Sequence, residues 1–241
     1  NMNINLQINN QEDQLFFNYL LSLIAEYNQI QTNIMNHQQE APINYIDFKS
    51  IFITGDPLSY EDQINLIKDM IHIRCYNSKI ATTPKIFILD PQHEELYWYD
   101  EISEIPAQNI FVSSDIQKGL DLLSKYDPDE LCQQIIIING LYKYILENNE
   151  LIKTYIQTIN KSLFSSIYCL NQSDWTPSRS ILNNFYTKIF FHTNNHIIND
   201  LIDSSDTKPA DLQDEEFLLL SKDGQISLFY KDNNIITQKH Q

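Results

Sequence analysis

The stretch GDPLSYED, residues 55–62, has the surroundings of a phosphate-binding loop, because it follows an apolar run and precedes a helical pattern. In loops of the form G-x-x-x-x-G-K-[ST], backbone N–H groups surround the phosphates, the lysine reaches the terminal phosphate and the hydroxyl binds Mg²⁺. Gly55 keeps the first glycine position. Tyr60 stands at the second glycine, Glu61 at the lysine and Asp62 at the hydroxyl residue. The frame of the loop is present, whereas the groups that bind phosphate are replaced.

These replacements oppose phosphate binding. Tyr60 places a bulky side chain where the backbone must approach the phosphates, and Glu61 reverses the sign of the charge that meets them. Two like charges about 4 Å apart repel by about 4 kcal/mol at an effective dielectric constant of about 20. By itself, GDPLSYED also fits an ordinary turn with Pro57 at a favoured position. In either case we expect no ATP hydrolysis here.

Alternating strands and helices position this loop. Apolar runs predict strands over residues 49–54, 85–90, 109–114, 134–139, 166–172 and 187–193. Helical patterns cover residues 13–36, 60–74 and 114–126, and a long helix ends near residue 164. The closing EFLLLSKDGQISLFY, residues 216–230, predicts a hairpin that turns at KDGQ. We therefore expect an α/β fold, a parallel sheet flanked by helices with a C-terminal antiparallel hairpin.

The order of these parts resembles the RecA-like core of the P-loop NTPases, and the motifs resemble the FtsK/SpoIIIE-type ATPases. In ILDPQHEELYWYD, the Asp-Pro of residues 90–91 matches that family's Asp-Pro-Lys-Gly, with Gln-His in place of Lys-Gly. The strand SIYCLNQ is similar to the family's strand ending in Thr-Gln-Arg-Pro, with Gln172 kept as a sensor-like residue and the arginine missing. In this chain, as in that family, a strand, a helix and a final hairpin come last. The similarity covers about residues 49–230.

This resemblance implies a degenerate nucleotide site. At the position of the family's Walker B motif, the aliphatic run of residues 135–138 leads into Asn139 and Gly140. The family has there an aspartate that binds Mg²⁺ and a glutamate that orients water. Without these carboxylates, phosphoryl transfer lacks its metal anchor and its base. With the degenerate Walker A loop, the resemblance implies no catalytic residues, no bound metal and no cofactor, with ATP and Mg²⁺ bound weakly or not at all.

The composition excludes several classes of partner. The chain has 32 Asp plus Glu against 16 Lys plus Arg, a formal net charge of -16. Such a surface repels the phosphodiester backbone, so we expect no nucleic acid partner. No apolar run reaches the roughly 18 residues of a membrane span, and we expect no direct membrane contact by this domain. Three widely spaced cysteines without a C-x-x-C motif predict reduced thiols.

Aromatic and histidine residues are candidates for contacts outside the core. Four aromatic residues are possible anchors for a peptide: Tyr60, Tyr97, Trp98 and Trp175. Packing against its own domain is the commoner role of a cluster such as Tyr97-Trp98-Tyr99. His192 and His196 have a zinc-like H-x-x-x-H spacing, but the spacing crosses a predicted strand end, so we expect no metal site.

The expected organisation is a helical lead-in over residues 1–46, a RecA-like core over residues 47–232 and a tail over residues 233–241. Within its family, the chain is most similar to the degenerate C-terminal ATPase-like module of the type VII secretion coupling proteins EssC and EccC. This resemblance implies a non-hydrolysing module at the cytoplasmic face of the membrane, in a protein whose other modules are active. Its implied partners are secreted WXG100-type substrates and the adjacent modules. A nucleotide-binding sensor without turnover and a structural oligomerisation module are the alternatives.

Overall fold

The structure, a computed structural model, describes residues 49–77, 85–103, 109–125, 134–162, 165–172, 175–202, 207–232 and 235–239. The helical lead-in predicted over residues 1–46 lies outside these described residues. Within the described ranges, no helix is both long enough and apolar enough to cross a membrane.

Nine strands of the described chain form one sheet. They are β1 (Ser50–Gly55), β2 (Lys85–Leu89), β3 (Asn109–Ser113), β4 (Gln134–Asn139), β5 (Ser165–Gln172), β6 (Thr187–Phe190), β7 (Glu216–Ser221), β8 (Ile226–Asp232) and β9 (Ile235–Lys239). Their order across the sheet is β3-β2-β4-β5-β1-β6-β7-β8-β9.

The sheet is parallel from β3 to β6 and antiparallel from β6 to β9. This arrangement confirms the predicted fold class, including the closing hairpin β7–β8. Residues 235–239, which the sequence analysis assigns to a tail, form β9 and extend the hairpin by one strand.

Helices connect the parallel strands. Those of the described chain are α1 (Tyr60–Asn77), α2 (Glu95–Glu101), α3 (Ile116–Lys125), α4 (Leu141–Lys161), α5 (Arg179–Leu182) and α6 (His196–Asn199), with short 3-10 helices at Pro57–Ser59 and Pro209–Asp211. α4 is kinked at Asn148, whose φ of -154° and ψ of 83° are not helical. The Asn148 Oδ1 accepts the Leu151 N–H at 3.0 Å, and so it caps the second half of α4.

Successive side chains of each strand point to opposite faces of the sheet, so a separate core forms on each face. On the face covered by α1, Ile51 and Ile53 pack with Ile67. On the face covered by α3 and α4, Phe52 packs with the apolar side of α4. β4 lies between other strands and is covered on both faces, which is why its aliphatic run is continuous and fully buried.

Candidate functional site

The carboxyl ends of four parallel strands bring the predicted residues to one edge of the sheet. Gly55 ends β1 and lies opposite Gln172 at the end of β5. Asn139 ends β4 opposite Leu170, and Asp90 directly follows β2. In parallel α/β sheets, ligands bind in the crevice at this edge. We call this region the sheet crevice.

The loop after β1 keeps the strand-loop-helix frame but directs its N–H groups to its own chain. Asp56 N–H donates to the His192 carbonyl at 2.8 Å, and Ser59 N–H donates to the Asp56 carbonyl at 2.9 Å. Tyr60 N–H donates to the Pro57 carbonyl. Pro57 has no N–H to offer. The donors that would cradle a phosphate are thus occupied or missing at these four loop positions.

Gly55 is packed tightly beneath this loop. A Cβ atom added to Gly55 would lie 2.7 Å from the Phe191 Cβ and 2.9 Å from the Gln63 Nε2, and it would also overlap Ser59 Oγ. The glycine is therefore required for contact between β1, the loop and the end of β6. Side chains fill the space beneath the loop.

Asp90 is a buried carboxylate surrounded by hydrogen-bond donors. Its side chain has no exposed surface. Its Oδ1 accepts the backbone N–H groups of Gln92 (2.8 Å) and His93 (3.2 Å). Its Oδ2 accepts from Trp98 Nε1 (2.6 Å), Asn139 Nδ2 (2.7 Å) and His93 Nδ1 (2.9 Å). Groups of its own chain therefore satisfy the charge of Asp90.

Asn139 joins Tyr60 to this carboxylate. Its Nδ2 donates one hydrogen bond to the Tyr60 hydroxyl at 2.8 Å and another to Asp90 Oδ2 at 2.7 Å. Asn139 is fully buried, and among the described residues its Oδ1 has no hydrogen-bond partner. The side chain at the Walker B position is thus bonded to the side chain at the second glycine of the Walker A frame.

Three stacked rings lie at the mouth of the crevice, and we call them the aromatic column: Tyr60, His93 and Tyr97. The Tyr60 and His93 ring centroids are 5.6 Å apart with planes at 9°, and those of His93 and Tyr97 are 4.5 Å apart at 18°. His93 Nδ1 faces the Asp90 carboxylate, which can only accept, so Nδ1 carries the ring proton. In the neutral ring the other nitrogen, Nε2, is then a hydrogen-bond acceptor.

Tyr97 and Trp98 are adjacent but have different environments. Trp98 has no exposed surface, and its indole N–H is bound to Asp90. The expectation that Trp98 contacts a partner is therefore wrong, because its ring belongs to the core on the α1 face. Tyr97 is half-buried. Burial raises the pKa of Tyr97 to about 12, with further contributions from the negative charges of Glu101, Asp90 and Glu61.

The remaining predicted residues lie around this centre. Glu61 and Asp62 occupy the first turn of α1, where negative charge stabilises the helix dipole. Glu61 is exposed and Asp62 is half-buried. Trp175 is also half-buried, with its ring centroid 6.3 Å from that of Tyr142, so part of it stays available for a contact.

Gly140, the second predicted Walker B position, turns the chain from β4 into α4. Its φ of 75° is left-handed. A Cβ atom here would lie 2.5 Å from Gln92 Nε2, and the Gly140 N–H donates to the Leu170 carbonyl at 3.0 Å. The position where the resembling family has its glutamate is therefore a tight turn beneath Gln92.

The two histidines with zinc-like spacing have separate surroundings. His192 Nδ1 lies 2.9 Å from Asp56 Oδ2, which ties the end of β6 to the loop after β1. His196 begins α6 and is exposed. In the described part of the chain, no group of three His, Cys, Asp or Glu side chains is arranged to hold a metal ion.

The roles of Asp90 and His93 were not predicted from the sequence. The Asp-Pro pair was assigned only as part of a motif, whereas Asp90 is the residue that connects β2, β4 and α2. The available signal was an aspartate at a strand end followed closely by His93 and Trp98, since a buried carboxylate requires N–H donors nearby.

No family model matches the chain, and no curated protein matches it. Solved structures do match. The genome packaging NTPase B204 from Sulfolobus turreted icosahedral virus 2, solved in complex with sulfate, has a TM-score of 0.56 and 14% identity over 77% of this chain and 97% of that chain. This chain has the P-loop NTPase fold.

The same P-loop NTPase fold relates the chain to a secretion ATPase. The cytoplasmic domain of the Thermomonospora curvata type VII secretion ATPase EccC has a TM-score of 0.51 and 7% identity, over 83% of this chain and 24% of that one. A structure of ATPases 2 and 3 of Thermomonospora curvata EccC, in complex with a signal sequence peptide, has a TM-score of 0.50 and 6% identity. The match covers 83% of this chain and 38% of that one. The resemblance expected from the sequence is confirmed at the level of the fold, and the chain spans a minor part of these multi-ATPase chains.

Proposed function

We propose that this P-loop NTPase-fold domain does not hydrolyse ATP and instead recognises a polypeptide, as a module of a type VII secretion coupling protein. The observation that carries the proposal is the hydrogen-bonded set of Tyr60, Asn139 and Asp90. These side chains bond to one another at the sheet edge where an α/β fold of this kind binds its ligand. The one carboxylate of this set, Asp90, is already occupied by hydrogen-bond donors of the chain.

The chemistry of phosphoryl transfer supports the absence of turnover. That reaction needs a positive charge on the phosphates, a metal held by oxygen ligands and an oriented water. Here Glu61 stands at the lysine position, and Asn139 presents an amide donor where the metal-binding aspartate is expected. The loop after β1 adds a third, independent change, since the N–H groups of Asp56, Ser59 and Tyr60 are bonded within the chain.

The fold shared with EccC ATPases 2 and 3 supports polypeptide recognition, because those domains were solved with a signal sequence peptide. In this chain the outer edge of the crevice presents Leu58 and the half-buried Trp175 as apolar anchors for a helix. We propose secreted WXG100-type helical hairpins as the substrate class. We also propose the adjacent ATPase modules of the coupling protein as partners, and the cytoplasmic face of the membrane as the location.

Fluorescence anisotropy with a labelled WXG100-type dimer and the full chain tests this function. We expect saturable binding that added ATP and Mg²⁺ leave unchanged. Trp175→Ala should weaken binding about tenfold, which corresponds to about 1.4 kcal/mol. Phe111→Ala is the control, because Phe111 is 40% exposed on the edge strand β3. Absence of binding, or equal losses for the two variants, would contradict recognition at the crevice.

A further inference from the structure

An exposed apolar side chain lies at the outer rim of the sheet crevice. Leu58, in the loop after β1, is 97% exposed, more than any other large hydrophobic side chain that the structure describes. Single exposed leucines are common on protein surfaces. The significance of Leu58 therefore depends on the groups beside it.

Hydrogen-bond acceptors accompany Leu58 at the rim. Glu61, three residues further along, is exposed and directly follows Tyr60, the first ring of the aromatic column, in the first turn of α1. His93 has its Nδ1 bound to Asp90, so Nε2 is the acceptor that remains. We call Leu58, Glu61, His93 and Tyr97 the rim patch.

The interior of the crevice also holds an acceptor that no donor of the described residues reaches. Beneath the aromatic column, the Oδ1 of the fully buried Asn139 has no partner among the described residues. A buried carbonyl oxygen without a donor costs free energy until an N–H group reaches it. Lys68 on α1 does not supply one, since it is bound to Glu101 at 2.6 Å.

We infer that the rim patch binds a lysine or arginine side chain that stands beside an apolar side chain in the polypeptide partner. This inference rests on the proposed polypeptide recognition, and it specifies which side chains of the partner are recognised. Glu61 attracts the cation, the aromatic column offers ring surface to it, and Leu58 packs against the neighbouring apolar group. The formal net charge of -16 favours the encounter with a basic segment at a distance.

Two amphipathic helical peptides that differ only in carrying lysine or glutamate test this inference on the full chain. We expect the lysine peptide to bind at least about tenfold more tightly by fluorescence anisotropy, and the preference to shrink as salt is raised. Equal affinities, or a preference for the glutamate peptide, would overturn the inference and leave polypeptide recognition standing. If neither peptide binds while the WXG100-type dimer does, only the inference fails. If the dimer also fails to bind, the proposed function fails with it.

Matched variants locate the contact. Leu58→Ser should weaken the lysine peptide about tenfold and Glu61→Gln about threefold, with a smaller salt dependence for the second. The controls are Leu146→Ser and Glu150→Gln, because both residues are exposed on α4, which covers the opposite face. All four side chains are exposed, so the variants should fold. Controls that weaken binding as much as the rim variants would show that the contact lies elsewhere and that the inference is wrong.

Discussion

At the end of β4, the amide of Asn139 supplies what a carboxylate lacks, namely two N–H donors. One donor meets the Tyr60 hydroxyl and the other meets Asp90, which directly follows the neighbouring strand β2. A carboxylate at position 139 would need a cation between it and Asp90. Asparagine allows the two strand ends to approach without a metal, and this difference explains why the site is held together by its own side chains.

Asn139→Asp, the substitution that restores a Walker B carboxylate, should destabilise the domain. It removes two hydrogen bonds and brings a second negative charge next to the buried Asp90. We expect a loss of about 2–4 kcal/mol in the free energy of unfolding at neutral pH, measured by urea denaturation. Asn149→Asp, at an exposed position of α4, is the control and should change stability by less than about 0.5 kcal/mol. A variant as stable as the parent chain would contradict the structure of this cluster.

Tyr97 should make stability depend on alkaline pH. Its pKa rises from 10.0 to about 12, chiefly through burial and then through Glu101, Asp90 and Glu61. The folded state therefore binds this proton more tightly, so its contribution is complete below about pH 10 and is lost as the pH rises toward about 12. Urea denaturation at about pH 9 and about pH 11 should show a smaller loss for Tyr97→Phe than for the parent chain. Tyr99→Phe is the control, and an equal loss in both variants would contradict this environment for Tyr97.

At the scale of elements, the junction between β4 and α4 depends on a left-handed glycine. Gly140→Ala should cost about 1–2 kcal/mol in the free energy of unfolding, because alanine is strained in the left-handed conformation. The contact with Gln92 Nε2 should add little, since the end of that flexible side chain can move away from an added methyl group. Gly224→Ala is a matched control, because Gly224 also has a positive φ, 82°, but a Cβ there would meet nothing within 4 Å. Urea denaturation should therefore give similar losses for the two variants, and no loss for Gly140→Ala would contradict the left-handed turn.

Most strands of the sheet were predictable because each contains a run of apolar residues or an apolar alternation. The run Gln134–Asn139 was predicted with its exact bounds, since burial on both faces leaves no polar position inside it. The helix α2 was not predicted, because seven residues are too few to show a helical period. Strand β9 was missed because the polar segment ITQK gives no strong apolar alternation.

The candidate site was predictable only in part. The sequence was enough to show which Walker-motif residues Tyr60, Glu61 and Asn139 replace, because this requires only the residue type at each motif position. It did not predict what the replacements bind to, because the contacts of Asn139 with Tyr60 and Asp90 join residues 79 and 49 positions apart. Only the order of strands in the sheet brings such distant side chains to the same crevice.

For the whole molecule, the net charge predicts that this domain does not bind nucleic acid, even though it shares a fold with a genome packaging NTPase. With a formal net charge of -16, it has no excess of cations to release counterions from a duplex. We expect no saturable binding of a labelled DNA duplex in an electrophoretic mobility assay, even at low salt. Binding that weakens steeply as salt rises would contradict this expectation, because that dependence is the mark of phosphate contacts.

Calorimetric titration of the full chain with ATP and Mg²⁺, at protein concentrations that detect millimolar affinity, bears most directly on the proposed loss of nucleotide chemistry. We expect no saturable heat, no release of phosphate and no rise in Tm, whereas a ligand at about 100 times its Kd would stabilise the fold by about 2.7 kcal/mol. Saturable binding would contradict the interpretation of Tyr60, Glu61 and Asn139. Binding without hydrolysis would favour a nucleotide sensor, and binding with hydrolysis would establish an active ATPase.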